Sequence, residues 1–417
     1  MRLFLISFIV GISLVPAKTL DSFSGYLKSD IDYIGHYIDI EKCDTERSEI
    51  YAAKLPHIVL DLKATDFNGV YDLNNFQAVY LTYTFDLELN IARNIEATAT
   101  VFQNIYSGEK VYDALRLNKL SKEILIMQND EVLFRIFGKF ISDYFSVLSK
   151  ENDLLIAENK YKQDQEHAKL VSGKFPPDSA KASIAVLNIE NSKKSADILY
   201  VEYKEALDLF LKRSGSGDIP VLGFIMENLD LERGDPYPVR IARKCAEMIE
   251  IQKDLNRDDF KPKLDVFATF GYKDNDMSSL EGGSMFGFLF TWNIFDGMLW
   301  ASRNRTLDKE IERVEAKIED DERTMKEKIA SLAISLKSYS SISDNLTELN
   351  SLYRKDLESV KKLMKEKRLS MTDFLQEEEK YLRFRESSLK TQAAIAMKIA
   401  EYYYLTGKFD EIWSVIK

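Results

Sequence analysis

Apolar residues along this chain switch between three-and-four spacing and strict alternation, and the switches come twice in the same order. The longest run of the first kind places Leu307, Ile311, Val314, Ile318, Met325, Ile329, Leu332 and Leu336 on a heptad seam, with charged residues at most other positions. Looser helical spacing continues through Tyr339, Ile342, Leu346, Leu349, Tyr353, Val360 and Met364 without a proline. This predicts one helix over 298–366. At about 1.5 Å per residue, such a helix reaches roughly 95 Å. Ahead of it, 286–295 (Phe-Gly-Phe-Leu-Phe-Thr-Trp-Asn-Ile-Phe) reads as an aromatic strand, joined to the helix by a hinge at Asp296-Gly297.

The chain before this stretch reads in order. Leu20 to Tyr51 predicts a helix with Tyr26, Ile31, Ile34, Ile38 and Ile40 on its apolar side, stopped by Pro56. Ile58, Leu60, Leu62 and Ala64 alternate with Asp61 and Lys63, a half-buried strand over 57–65. Asp66 to Gln77 is a turn region, 78–86 a returning strand and 89–171 a long helical region. Gly173-Lys-Phe-Pro-Pro177 breaks it, and Asp178 caps a second helix over 178–213. An irregular connector fills 214–237.

The order then starts again. A helix from Pro238 to Asn256 precedes a strand over 264–272, a polar loop over Lys273 to Met285, the strand 286–295 and the helix 298–366. A turn at Lys365-Glu-Lys-Arg368, capped by Ser370 or Thr372, leads to a last helix over 372–405, closed by Gly407 and followed by a tail, 408–417. Two repeats result, 18–213 and 238–407. Pro56 matches Pro262, and Phe85-Asp86 with Arg93-Asn94 matches Phe295-Asp296 with Arg303-Asn304. Two features do not match. Val79, Leu81, Tyr83 and Phe85 are out of phase with Phe288, Phe290, Trp292 and Ile294, which calls for a bulge or a one-residue shift. The first long helix also holds about fifteen extra residues, expected as a local excursion at Asn104 to Lys119.

Composition fits long helices with a narrow seam: of 417 residues, 30% are charged and 45% apolar, with only 17 Gly and 8 Pro. A net charge of −11 argues against nucleic acid as a partner. Arg2, the apolar run Leu3 to Leu14 and Val15-Pro16-Ala17 predict a signal peptide over 1–17, with no cysteine after it to carry a lipid. No other apolar run is long enough for a transmembrane helix, so entry into a membrane requires strands. Cys43 and Cys245 lie in helical stretches and are expected to be unpaired, buried thiols, although a disulfide between them stays open. His36, His57 and His167 have no metal spacing and no nucleophile motif is present, so no enzyme, cofactor or metal is expected.

Each repeat supplies two strands near the bilayer-crossing length of about 9–11 residues. Membrane barrels start at about eight strands, and open edges in lipid are costly. The chain must therefore oligomerise, two copies giving eight strands and three giving twelve. The alternative, a water-soluble sandwich, has no helix face wide enough to cover Phe286, Phe288, Phe290 and Trp292.

The strand pair, the entry Ile294-Phe-Asp-Gly297, the long helix, the tip Leu369-Ser-Met-Thr-Asp-Phe-Leu375 and the closing Tyr402-Tyr-Tyr-Leu-Thr-Gly407, all on a doubled plan, resemble the TolC family of outer-membrane efflux channels. The resemblance spans nearly all the chain after the signal. It implies a mixed α and β fold: a homotrimer with a twelve-stranded transmembrane barrel above a periplasmic helical barrel. It implies an outer-membrane location, a periplasmic adaptor and an inner-membrane pump as partners, and passive conduction of drugs or secreted proteins.

Carried over by position, Asp373 is the gate candidate, with Gln376 standing where a second aspartate is found in the family and Arg368 beside it. A helix-start carboxylate is the plain alternative for Asp373. Val171, Ser172 and Gly173 in the first tip, with Lys367, Arg368 and Leu369 in the second, are the expected adaptor contacts. Phe286, Phe288, Phe290, Trp292 and Tyr272 are expected to face lipid. The rival reading is a periplasmic or surface coiled-coil protein without a pore. It leaves the duplicated strand pairs unexplained.

Overall fold

The computed structural model describes residues 17–66, 93–174, 176–177, 179–220, 222, 236–274 and 281–415. The signal region 1–16, the strand expected at 78–86, Asp178 and much of the connector lie outside the described residues. The elements are α1 (Ala17–Ser29), α2 (Ile31–Ala52), β1 (His57–Asp66), β2 (Arg93–Tyr106), α3 (Lys110–Ser172), α4 (Ala180–Ser214), α5 (Tyr237–Asp258), β3 (Lys263–Asp274), β4 (Glu281–Thr291), α6 (Leu299–Lys365) and α7 (Met371–Thr406), followed by a 3-10 turn at Phe409–Ser414. They fall into two compact units. One is built from the chain up to Ile40, Ile124–Arg243 and Ala316 onward, the other from Glu41–Glu123 and Lys244–Glu315.

The second unit holds the sheet. Its four strands pair antiparallel in sequence order, β1-β2-β3-β4. The expected helical start near residue 89 is corrected, since Arg93–Tyr106 is a strand and the helix begins at Lys110. Ala97-Thr-Ala-Thr-Val101 alternates with period two and is rich in β-branched residues, which suits a pleat with one buried face. The excursion expected at 104–119 is likewise replaced: the chain leaves β2 at Tyr106, turns at Gly108 in the left-handed region (φ 68°) and enters α3. Val79 to Phe85 lie outside the described residues, and the pairing of β2 with β3 has a register irregularity between Asn104 and Tyr106. Val101 and Ala99 sit in register with Ala268 and Phe270, and Ala268 with Phe286.

β4 also differs from the expected 286–295. It starts at Glu281 and ends at Thr291, so Gly282 and Gly283 are strand residues and Trp292 lies beyond it. The glycines hid the strand because they add no hydrophobic signal, yet two of them are there for packing. A Cβ on Gly282 would lie 2.8 Å from the Tyr272 ring, and one on Gly287 2.7 Å from the Phe267 ring. Each glycine lets an aromatic ring of β3 lie across its backbone.

The first unit is helical around an aromatic core in which Phe23 of α1 meets Phe137, Phe140 and Trp413 at ring separations of 6.0, 5.8 and 4.9 Å. Gly25 lets α1 cross the end of α4, where a Cβ would stand 1.8 Å from the Ser214 carbonyl oxygen. The single helix expected from Leu20 to Tyr51 is broken at Asp30, whose carboxylate accepts from the Asp32 and Tyr33 amides (3.0 and 3.3 Å) and so caps α2. Ser179, not Asp178, caps α4, accepting from the Ala182 amide. Neither Cys43 nor Cys245 is in a disulfide, and the first is buried and the second half-buried.

Candidate functional site

Two regions carry the residues that the sequence singles out: one face of the sheet and the two helix turns. The register sorts the sheet by chemistry. One face carries the rows Ile58–Val101–Ala268–Phe286 and Leu60–Ala99–Phe270–Ser284, then Leu62–Ala97–Tyr272–Gly282, with Phe288 beside Val266 and Phe290 beside Leu264. The large apolar side chains of this face are open to solvent: Ile58 is 75% exposed, Phe286 69% and Phe288 67%. Tyr272, Phe290 and Trp292 are exposed as well, and the Trp292 indole donates to the Phe260 carbonyl at 2.9 Å. The other face is mixed: Asp61, Thr98, Thr100, Asp265 and Thr269 share it with exposed Val59, Met285 and Leu289. Thr100 and Thr269 hydroxyls meet at 3.0 Å, and the Asn104 amide donates to Asp265 at 2.7 Å. Beside the rows with Asp61 and Thr100, Phe102 and Phe267 bring rings 6.1 Å apart onto this face. Among the described residues β1 and β4 each have one strand neighbour and form the two edges of the sheet.

Below the sheet, Lys261 ties two junctions together. Its ammonium lies 2.6 Å from Glu109, between β2 and α3, and 2.8 Å from buried Asp258 at the end of α5. These contacts raise the Lys261 pKa and lower that of Glu109. Asp113, whose carboxylate comes within 4.8 Å of those two, pairs with Arg116 at 3.0 Å. Lys261 and Arg116 therefore already supply countercharge to this carboxylate cluster, and the arrangement is an ion-pair latch.

In the first tip, α3 ends at Ser172. Val171 is buried there, so it supports the turn from within and is not presented, whereas Ser172 and Gly173 are exposed. In the second tip, α6 closes with a Schellman turn. The Lys367 amide donates to Met364 O (3.0 Å) and the Arg368 amide to Leu363 O (2.9 Å). Lys367 holds the left-handed position (φ 57°) that usually falls to glycine. Lys367 and Arg368 are exposed, Leu369 is half-buried, and Arg368 lies 3.8 Å from Glu366.

Asp373 and Gln376 are both exposed on the first turns of α7. Ser370 caps α7: its Oγ accepts from the Asp373 amide (3.1 Å) and donates to the Asp373 carboxylate (2.6 Å). The next two residues, Phe374 and Leu375, are buried. A ladder from α3 fixes them. Asn159 donates to Leu375 O (3.2 Å) and Glu378 (2.7 Å), Gln163 donates to Asn159 (2.7 Å) and Glu379 (3.0 Å), and Asn152 donates to Leu382 O (3.0 Å). Sequence reading passed over these amides. Their signal is the seven-residue step from Asn152 to Asn159, equal to the step from Leu375 to Leu382.

Neither a protein-family model nor a curated protein matches the sequence. Solved structures match it over almost its full length. The Campylobacter jejuni CmeC outer membrane channel is similar at a TM-score of 0.67 and 13% identity, over 94% of this chain and 86% of that one. The open state of the Neisseria gonorrhoeae MtrE outer membrane channel is similar at 0.63 and 12% identity, over 93% and 88%. The outer membrane protein VceC of Vibrio cholerae is similar at 0.60 and 12% identity, over 93% and 96%. Long helices and four antiparallel strands in two strand-strand-helix repeats give this chain the fold of the TolC-family outer-membrane channels.

Proposed function

We propose that the chain is one subunit of a homotrimeric outer-membrane channel that passively conducts drugs or secreted proteins outward. The observation that carries this reading is a four-stranded sheet with one exposed apolar face and, among the described residues, two unpaired edges. In water the apolar face is costly, and in lipid the edges are. An even number of antiparallel strands resolves both costs, because β4 of one copy and β1 of the next run in opposite directions and can pair. Three copies close twelve strands, with the apolar face toward lipid and Thr98, Thr100 and Thr269 toward the lumen.

The helices support an assembly of this kind. Ile184, Leu187, Ile198 and Val201 of α4 are each more than half exposed, and the two pairs repeat after two heptads. A neighbouring copy is the occupant that such a seam fits. In this reading residues 1–17 direct export, Ser172, Gly173, Lys367, Arg368 and Leu369 meet a periplasmic adaptor coupled to an inner-membrane pump, and Asp373 with Gln376 and Arg368 lines the inner opening.

The test is light scattering of the detergent-purified protein followed by planar-bilayer recording. A trimer with discrete conductance steps is expected. A folded protein that remains monomeric, or a trimer that never conducts, would overturn the reading.

A further inference from the structure

The helical unit contains a cavity of about 340 Å³ that none of the features above uses. Its walls come from the start of α2, from α3 and from the 3-10 turn after α7. Tyr33, Tyr37, Ile126 and Leu133 give it an apolar body, and Asp130, Asp410 and His36 give it polar points. The volume is near the lower end of ligand pockets, about 300–1,000 Å³. No lysine or arginine lines it among the described residues.

Asp130 and Asp410 are carboxylates, Asp410 exposed at the turn, and the Asn129 amide lines the cavity beside them. His36 Nε2 is buried and has no hydrogen-bond partner among the described residues, while its ring hydrogen-bonds the Leu125 backbone. A buried polar atom left unpaired costs about 1–3 kcal/mol, so a group that pairs with this nitrogen gains affinity. The His36, Asp130 and Asp410 ligand atoms do not gather within 4.8 Å of one another, which is too open for a bare metal ion to hold all three.

We infer that this cavity binds a small organic ammonium ion, with its N–H donors on Asp130 and its apolar body between Tyr33 and Tyr37. Charge-assisted hydrogen bonds and cation–π attraction are the two contacts such a ligand makes and a neutral one loses. The electrostatics agree. Burial and then the Asp410 charge push the Asp130 pKa up to about 6, against a lowering by Arg240, which does not line the cavity. The hydroxyls of Tyr237 and Tyr404 face the same carboxylate and are raised partly by it. An arriving cation relieves this repulsion.

The proposal stands apart from the channel reading, since neither needs the other. Its test is calorimetry on the full-length protein in detergent at pH 7.5 with three probes: phenethylammonium, the neutral 2-phenylethanol, and phenethyltrimethylammonium, which is charged but lacks N–H. The primary ammonium should bind at least about tenfold more tightly than either control. Its affinity should fall as pH drops through about 6, where Asp130 takes up a proton. Asp130→Asn should weaken it by about tenfold or more.

Loss of fold does not confuse the result. The native state binds a proton at Asp130 more tightly than the unfolded chain does. Stability therefore falls as pH rises from about 4 to about 6 and stays lower above that. Asp130→Asn should consequently melt at a higher temperature than the parent at pH 7.5 while losing the ligand. Equal binding of the neutral probe, no heat with phenethylammonium, or unchanged affinity in Asp130→Asn would overturn the assignment.

Discussion

Lys367 and Gly407 occupy the same backbone position in two successive helix ends and make opposite demands. Both close Schellman turns in the left-handed region, with φ of 57° and 68°. A side chain there costs about 1–2 kcal/mol, and glycine avoids it. Lys367 accepts that cost at an exposed tip, where a charge is available to a partner. Lys367→Gly should therefore raise the opening free energy of the last turn of α6 by about 1 kcal/mol, read by hydrogen exchange of the Lys367 and Arg368 amides. Unchanged protection would show that the lysine is not strained. Gly407 has no such freedom, since a Cβ would lie 1.9 Å from Arg240 Nη2 and 2.7 Å from the Tyr237 ring. Gly407→Ala should lower the denaturation midpoint, because it adds both the backbone cost and a clash with α5.

The amide ladder between α3 and α7 is the corresponding device at the level of whole elements. Asn152 and Asn159 are buried in a helical seam whose other members are apolar, a pattern that trades stability for register. Asn159→Ala should cost about 1–3 kcal/mol, because Gln163 and Glu378 each lose a partner. Combined with Gln163→Ala, the loss should be less than the sum, measured by a double-mutant cycle in urea. Full additivity would mean that the two amides act independently.

The elements also show what a sequence can carry. The doubled order of elements and the long seam of α6 were legible, because heptad spacing sustained over many turns has few alternative readings. The strand β2 was not. Its Ala and Thr residues give a weak period-two signal beside the stronger apolar run at 78–86, and strand choice depends on partners elsewhere in the chain. β4 was displaced for a related reason, since Gly282, Gly283 and Gly287 contribute to the strand through the rings laid over them and not through side chains of their own. The cap of α7 was readable only as Ser370 or Thr372, and the structure places it at Ser370, while the cavity around Asp130 and His36 unites distant segments that no local pattern connects.

For the whole molecule, the question is whether Asp373 does more than cap. A cap needs one oxygen near the helix start, and Asn keeps that oxygen, so Asp373→Asn should leave the thermal stability within about 0.5 kcal/mol of the parent. A ring of three copies adds something that Asn cannot keep. Carboxylates around one narrow opening sum their potentials on a passing ion, and low-dielectric walls focus that field. Asp373→Asn should therefore reduce the preference of the channel for cations over anions, read as a smaller reversal potential across a KCl gradient. Salt separates this effect from a change in pore shape. The Debye length shrinks from about 10 Å at 0.1 M to about 3 Å at 1 M, so the difference between variant and parent should largely vanish at high salt. A difference that persists at 1 M would point to altered geometry, and no difference at 0.1 M would leave Asp373 with its capping bond to Ser370 as its whole role.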